Sequence, residues 1–329
     1  MTHHTPRTAF IGGGMVAEVH RRALEDTGAL DYAGLYDPDA NVAARRHEEW
    51  GGKRYVDLDD VFRDPAVDAV HVLTPAQFHV PVAESAMRSG KHTLVEKPVG
   101  DQAGIGRLEE VARQTGLVCM PGHNYAYQPE YQRLCRLLSD REQPLGTVRA
   151  IWVTYCIQHP ESIAMKYGGV LEEVMVHHSY LVAGLAGRPS AVLAGTDGSR
   201  WSNHPAEDQA WMVWRYPANL SAHLFASFAV DDPTTTSAMF SVKVLGTDGG
   251  SSYQWADSTF RRAFGSLTFG IPAYEETYLA ENRAFAAACH GDPDAIVSPL
   301  NHAFIAAEVA EAAKTSVATD AFVSMGPQR

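Results

Sequence analysis

Three consecutive glycines, Gly12-Gly13-Gly14, stand between an apolar run at 8–11 and a helical pattern at 15–27, in which Val16, Val19, Ala23 and Leu24 share one side. A strand that passes through so short a turn into a helix does not form a hairpin with the next strand. It pairs in parallel, through a right-handed crossover. The rhythm repeats. Apolar runs at 32–36, 69–73, 93–95 and 117–120 alternate with helical stretches at 40–50, 78–89 and 103–115. Residues 1–125 are therefore predicted to form a doubly wound parallel sheet, the α/β class.

Beyond Asn124 the rhythm changes. Pro129 suits the first turn of a helix running to Leu138. Longer apolar stretches follow at 147–158, 191–196, 209–216, 220–230, 238–245 and 260–269, several of them divided by turn residues such as Pro217-Ala218-Asn219. Residues 126–329 are predicted as a second, α+β domain: a large, mostly antiparallel meander with an open face, closed by helices at 276–290 and 303–315. In Trp211-Met212-Val213-Trp214-Arg215-Tyr216 both alternating faces carry bulky apolar residues, whereas a half-solvated sheet alternates apolar with polar. Either a helix or a second copy of the chain is expected to cover that face, and with few helices to spare in this domain a dimer or tetramer is the expectation. Amphipathic aromatics at a wet surface are the other reading.

Charge narrows the partners. Lys+Arg number 27 against 39 Asp+Glu, a net −12, which disfavours nucleic acid and anionic membrane. No apolar run approaches the roughly 18 residues of a membrane span. The start, Met1-Thr2-His3-His4-Thr5-Pro6-Arg7, carries no signal or transit pattern. Cys119, Cys135, Cys156 and Cys289 lie far apart without a C-x-x-C pair, as expected of reduced thiols in cytoplasm without a metal site.

Several short motifs carry chemistry. Gly12-x-Gly14-x-x-Ala17 matches a dinucleotide fingerprint: the first glycine for the turn, the second for backbone approach to a pyrophosphate, the small third residue for helix–strand packing. Met15 opens the helix whose N-terminus would face the anion. Asp37 ends the second strand, where a carboxylate would accept from ribose hydroxyls and repel a 2′-phosphate, favouring NAD over NADP. It also reads as a plain turn residue. Thr74-Pro75 and His79 follow the third strand at its carboxyl end, the ligand edge of such sheets, although Thr74 equally reads as a helix cap. Glu96-Lys97-Pro98 ends another strand at that edge. Lys97 is either half of a surface ion pair or a lysine poised for acid–base work against an oxidised nicotinamide, and Pro98 raises the prospect of a cis bond.

Together these residues resemble the Gfo/Idh/MocA family of dehydrogenases. The likeness rests on Gly12-x-Gly14-x-x-Ala17 with His20, on Asp37, on Thr74-Pro75-x-x-x-His79, on Ala86-Met87-Arg88-Ser89-Gly90-Lys91-His92 and on Glu96-Lys97-Pro98. Asn124 with Pro129, and Gly168-Gly169 through His177, extend it across the chain. It implies an N-terminal Rossmann domain holding NAD through Gly12, Gly14, Met15, Ala17, Asp37, Thr74, Pro75, His79, Glu96, Lys97 and Asn124. It further implies a C-terminal sheet used for oligomerisation, and oxidation or reduction at a sugar or cyclitol carbon.

The stretch 170–186 reads as one helix ended by Gly187, with Glu173, His177 and Tyr180 on one face. Relatives commonly carry Asp, His and Asp there, so Glu173 and Tyr180 depart from the pattern, and Met175 replaces a usual glycine. Lys97, His177 and Glu173 are the expected catalytic residues. Tyr155 and Tyr180 join them at the substrate, a small polyol or amino sugar. Lys97 would stabilise charge on the reacting oxygen, and His177 would take the hydroxyl proton. Glu172-Glu173 points weakly to a cationic substrate such as an amino sugar. A dinucleotide-binding regulator and an NAD-dependent glycosidase are the alternatives.

Overall fold

The computed structural model describes residues 4–139, 144–158, 161, 168–198, 206–230, 240–255 and 273–326. The expected strand at 260–269, and the first residues of that at 238–245, lie outside them. The chain divides into two compact units, one of residues 1–127 with 275–304 and the other of 128–274 with 305–329. The first unit thus ends close to the expected boundary at 125, but it regains a segment that the sequence reading assigned wholly to the second.

The first unit runs β1 (Arg7–Ile11), α1 (Met15–Thr27), β2 (Asp31–Tyr36), α2 (Ala40–Trp50), β3 (Lys53–Arg54), α3 (Leu58–Arg63), β4 (Ala69–Val72), α4 (His79–Arg88), β5 (His92–Glu96), α5 (Gln102–Thr115) and β6 (Cys119–Gly122). Its six strands lie in the order β3-β2-β1-β4-β5-β6, and every pairing is parallel. This is the doubly wound order, whose switch point falls between β1 and β4. Phe10, Ile11, Val70, Val72, Leu94 and Val95 are all buried completely. Such continuous apolar strands belong to a sheet covered on both faces, and each side chain contributes about 1.5–3 kcal/mol on burial. The helix ends follow local chemistry. Asp39 and Asp101 accept from Asn41 N and Gly104 N at the starts of α2 and α5, while Gly28 and Gly116 take left-handed conformations after α1 and α5.

Register places the functional edge. Ile11 is level with Val72, Val72 with Val95 and Val95 with Pro121. The residues that follow these strands therefore emerge along one carboxyl-terminal edge: Gly12, Leu73-Thr74, Glu96-Lys97 and Gly122–Asn124.

The second unit contains α6 (Pro129–Ser139), β7 (Val148–Cys156), α7 (Val170–Glu173), α8 (Met175–Ala186), β8 (Ala191–Asp197), β9 (Gln209–Arg215), β10 (Ser221–Ser227), β11 (Phe240–Gly246) and β12 (Gly250–Trp255). From Glu275, α9 (Ala273–Cys289) belongs to the first unit; α10 (Leu300–Thr319) passes into the second, where β13 (Val323–Ser324) ends the order β12-β11-β7-β10-β9-β8-β13. The sheet is mostly antiparallel, as expected, but it is not a simple meander. β7 inserts between β11 and β10 and runs parallel to β10, because the helical segment after β7 carries the chain away before β8 starts.

Inner-face Ala210, Met212 and Trp214 are buried, while Trp211 on the outer face is 39% exposed. The Trp211 indole lies over Gly195 of β8, where an added Cβ would come within 2.5 Å of it. Also on this sheet, Trp152, 36% exposed, stacks on His223 at 5.1 Å.

Among the described residues no helix is long and apolar enough to cross a membrane.

Candidate active site

The glycine turn has the form a dinucleotide requires. Gly12 has φ +107°, and a Cβ on it would sit 2.5 Å from Leu73 O, so only glycine passes between β1 and β4. Gly14 differs. Nothing lies within 4 Å of a Cβ built there, and as N-cap of α1 it offers no side-chain hydrogen bond. The first N–H groups of α1 are thus left for an incoming anion beside exposed Met15 and buried Ala17.

Asp37 Oδ2 accepts from Gly13 N at 2.8 Å and Oδ1 from Asp39 N at 2.8 Å, so turn residue and acidic strand end are the same carboxylate. Arg46 donates from Nε to Gly13 O at 3.1 Å and stacks on Trp50 at 4.5 Å; it braces the loop from behind.

The β4 end departs from the helix-cap reading of Thr74. A 3-10 turn, Ala76–Phe78, intervenes before α4, and Phe78 is the N-cap. The buried Thr74 hydroxyl finds no hydrogen-bond partner among the described residues, an acceptor-and-donor site waiting at the ligand edge. Next to it His79, itself buried, sits with Nε2 2.7 Å from Thr74 O and Nδ1 2.8 Å from Pro98 O. His79 therefore ties the Thr74-Pro75 loop to the Lys97-Pro98 turn. The orphaned hydroxyl, the open glycine and the uncapped helix together match what a dinucleotide would occupy.

Lys97 follows β5, and the Lys97–Pro98 bond is cis. Its neighbour Glu96 is 5% exposed. Glu96 Oε1 pairs with His20 Nε2 at 3.1 Å, and Oε2 accepts from Lys97 N at 3.0 Å. Burial pushes this carboxyl up, but the His20 hydrogen bond first, and the electrostatics of the neighbouring groups, Lys97 among them, outweigh it and hold Glu96 below the ordinary carboxylate range. Asn124 is buried, and its amide donates to Thr277 of α9 at 2.7 Å.

In the second unit the expected helix at 170–186 is broken at Val174 into α7 and α8. Gly169 (φ +127°) opens α7, and a Cβ there would meet the Glu207 carboxylate at 2.5 Å. Glu207 Oε1 accepts from Leu171 N at 2.8 Å, which anchors the helix carrying Glu173. His177 and Tyr180 lie together on α8, with Nδ1 2.7 Å from the Tyr180 hydroxyl. Tyr180 and Met175 are both fully buried. Tyr155, on β7, is buried with its ring edge to Phe228 at 6.5 Å. Exposed Glu172 pairs with Lys314 at 2.9 Å, so half of the acidic feature read from sequence is already neutralised.

Residues 6–123 match the family model described as GFO_IDH_MocA, an oxidoreductase family with an NAD-binding Rossmann fold, and residues 131–252 match its C-terminal domain model. The chain belongs to the Gfo/Idh/MocA family. Over 294 residues it is 28% identical to UDP-N-acetylglucosamine 3-dehydrogenase of Acidithiobacillus ferrooxidans, covering 85% of each. It is 33% identical over 128 residues to 4-carboxy-2-hydroxymuconate-6-semialdehyde dehydrogenase of Sphingobium sp., spanning 38% of this chain and only 41% of that protein. Among solved structures, GenD2 from gentamicin A biosynthesis in complex with NAD matches 99% of this chain and 98% of its own, with a TM-score of 0.80 at 24% identity.

Sequence reasoning passed over His71, Glu281 and Asn282, all fully buried in the first unit. His71 had a signal, being a lone imidazole within the apolar run Ala69-Val70-His71-Val72, where a buried polar ring needs partners. Glu281 and Asn282 had none; on a helix they read as a solvated face.

Proposed function

We propose that this Gfo/Idh/MocA protein is an NAD(H)-dependent dehydrogenase acting on a secondary alcohol of a sugar, amino sugar or cyclitol. One observation carries the reading: a shared register line in β1, β4 and β5 sets the glycine turn, the Thr74 hydroxyl and Lys97 along one sheet edge. The names of relatives support the substrate class, since UDP-N-acetylglucosamine 3-dehydrogenase implies oxidation of a ring alcohol.

Gly12, Gly14 and the start of α1 would hold the pyrophosphate, and Asp37 the adenosine ribose. Bound nicotinamide supplies a hydride acceptor or donor. Lys97 would hydrogen-bond the reacting oxygen and stabilise the charge that develops there. His177 would take the hydroxyl proton at Nε2, its Nδ1–H held by the Tyr180 oxygen. Glu173 would bind a neighbouring substrate group. Four free thiols are in keeping with a cytoplasmic protein, and the exposed tryptophans of the second sheet support a homo-oligomer through that face.

The test is a screen of NAD reduction across glucose, glucosamine, UDP-N-acetylglucosamine, myo-inositol and an aminocyclitol, followed by Lys97→Ala and His177→Ala on the best substrate. Each substitution is expected to lower kcat/KM by about a hundred-fold or more without changing the circular dichroism spectrum. Near-normal turnover in both variants would overturn the assignment.

A further inference from the structure

Behind Glu96 the first unit contains a continuous line of buried polar groups. Thr8 Oγ1 lies 2.8 Å from His71 Nδ1, His71 Nε2 lies 2.9 Å from Asn282 Oδ1, Asn282 Nδ2 lies 3.1 Å from His20 Nδ1, and His20 Nε2 lies 3.1 Å from Glu96 Oε1. Thr8, His71, His20 and Asn282 are each completely buried. Aromatic rings enclose the line: Tyr278 stands edge-on to His20 at 5.0 Å, Phe285 to His71 at 5.3 Å, and Phe10 packs 5.0 Å from His71.

The direction of every donor follows from one contact. Asn282 Nδ2 also donates to Tyr278 O at 2.8 Å. Rotating the amide by half a turn would set its oxygen against that carbonyl, so the nitrogen must face His20 and the oxygen His71. Then Asn282 N–H donates to His20 Nδ1, which leaves His20 Nε2–H to donate to Glu96. On the other side Asn282 Oδ1 accepts from His71 Nε2–H, and His71 Nδ1 accepts from the Thr8 hydroxyl. Every donor points toward the Glu96 carboxylate, whose second oxygen takes the Lys97 amide. Aligned hydrogen bonds in a water-excluded interior reinforce one another.

We propose that Asn282 is a positioning residue: by bridging two imidazoles it fixes both ring tautomers and orients the donors onto Glu96, which holds the Glu96-Lys97 strand end in its working direction. The proposal rests on the reading of Lys97 as the group that meets the reacting oxygen. It adds a residue remote in sequence that touches neither substrate nor cofactor.

The experiment has two arms on full-length protein saturated with NAD. In the first, 15N-histidine spectra, assigned with His20→Asn and His71→Asn, are expected to show protonated Nε2 and bare Nδ1 for both rings. A protonated Nδ1 on either ring overturns the polarity. In the second, Asn282→Leu and the isosteric Asn282→Asp are expected to lower kcat by about ten-fold or more while KM for NAD stays within about two-fold. Folded variants that keep kcat overturn the positioning role. If the variants fail to fold, the wild-type spectra still decide the polarity on which the proposal stands. The two readings fail separately: an active Lys97→Ala removes the role of Lys97, whereas an inactive Lys97→Ala beside fully active Asn282 variants removes only that of Asn282.

Discussion

Glu281 is completely buried on α9, and neither of its carboxyl oxygens has a hydrogen-bond partner among the described residues. Burial first, and the negative charge of Glu96 second, push its carboxyl well above the ordinary range. The two carboxyls are thus pushed apart, Glu96 toward its charged form and Glu281 toward its protonated form. The stability consequence has a definite sign. A carboxyl whose folded pKa is raised costs nothing below its unfolded value of about 4.3, and stability then falls by about 1.4 kcal/mol per pH unit until the folded pKa is reached. Glu281→Gln keeps the shape and removes the titration. Its melting temperature is expected to match wild type near pH 4 and to exceed it increasingly toward pH 8; a constant difference across that range would show that Glu281 does not titrate in the unfolded chain alone. A single sequence could not disclose this pair, because residues 96 and 281 meet only through the packing of α9.

At the scale of elements, the passage from β1 through the glycines to α1 was the most legible part of the chain. Its three glycines do different work, and the structure separates them. Gly12→Ala forces a Cβ against Leu73 O at a positive φ and is expected to cost about 1–3 kcal/mol in chemical denaturation. Gly14 sits at φ −70° with open space beside it. Gly14→Ala should leave the denaturation midpoint nearly unchanged while weakening NAD in a calorimetric titration, since its methyl would stand where the pyrophosphate approaches. Equal stability losses in the two variants would refute the distinction. The parallel strands, Asp37 at the end of β2 and Lys97 at the end of β5 were readable because local periodicity and strand ends encode them. The short β3 and α3, the break at Val174 and the central position of β7 were not. A two-residue strand has no periodicity to read, and the pairing of β7 with β10 is decided by contacts between distant segments.

For the whole molecule, the outer face of the second sheet presents Trp211 and Trp152 beside stacked His223, with exposed Lys243 opposite Trp152 and Arg215 further along β9. The sequence showed this as apolar residues on both faces of β9, although it could not show which tryptophan would be inside: Trp214 is buried and Trp211 is not. If a second copy covers this face, Trp152→Lys with Trp211→Lys places four unpaired cations in each two-fold contact. Light scattering on the double variant should then give a smaller assembly than wild type, with the same circular dichroism; an unchanged mass would move the interface elsewhere. The other large-scale feature is the return of residues 275–304 to the unit formed by the first 127 residues. Because Asn282 meets Nδ1 of His20 and Nε2 of His71, one nitrogen of each core imidazole in the nucleotide-binding half stays without its partner until nearly the entire polypeptide has been synthesised. Excising that half as a contiguous gene fragment would leave the same gap permanently.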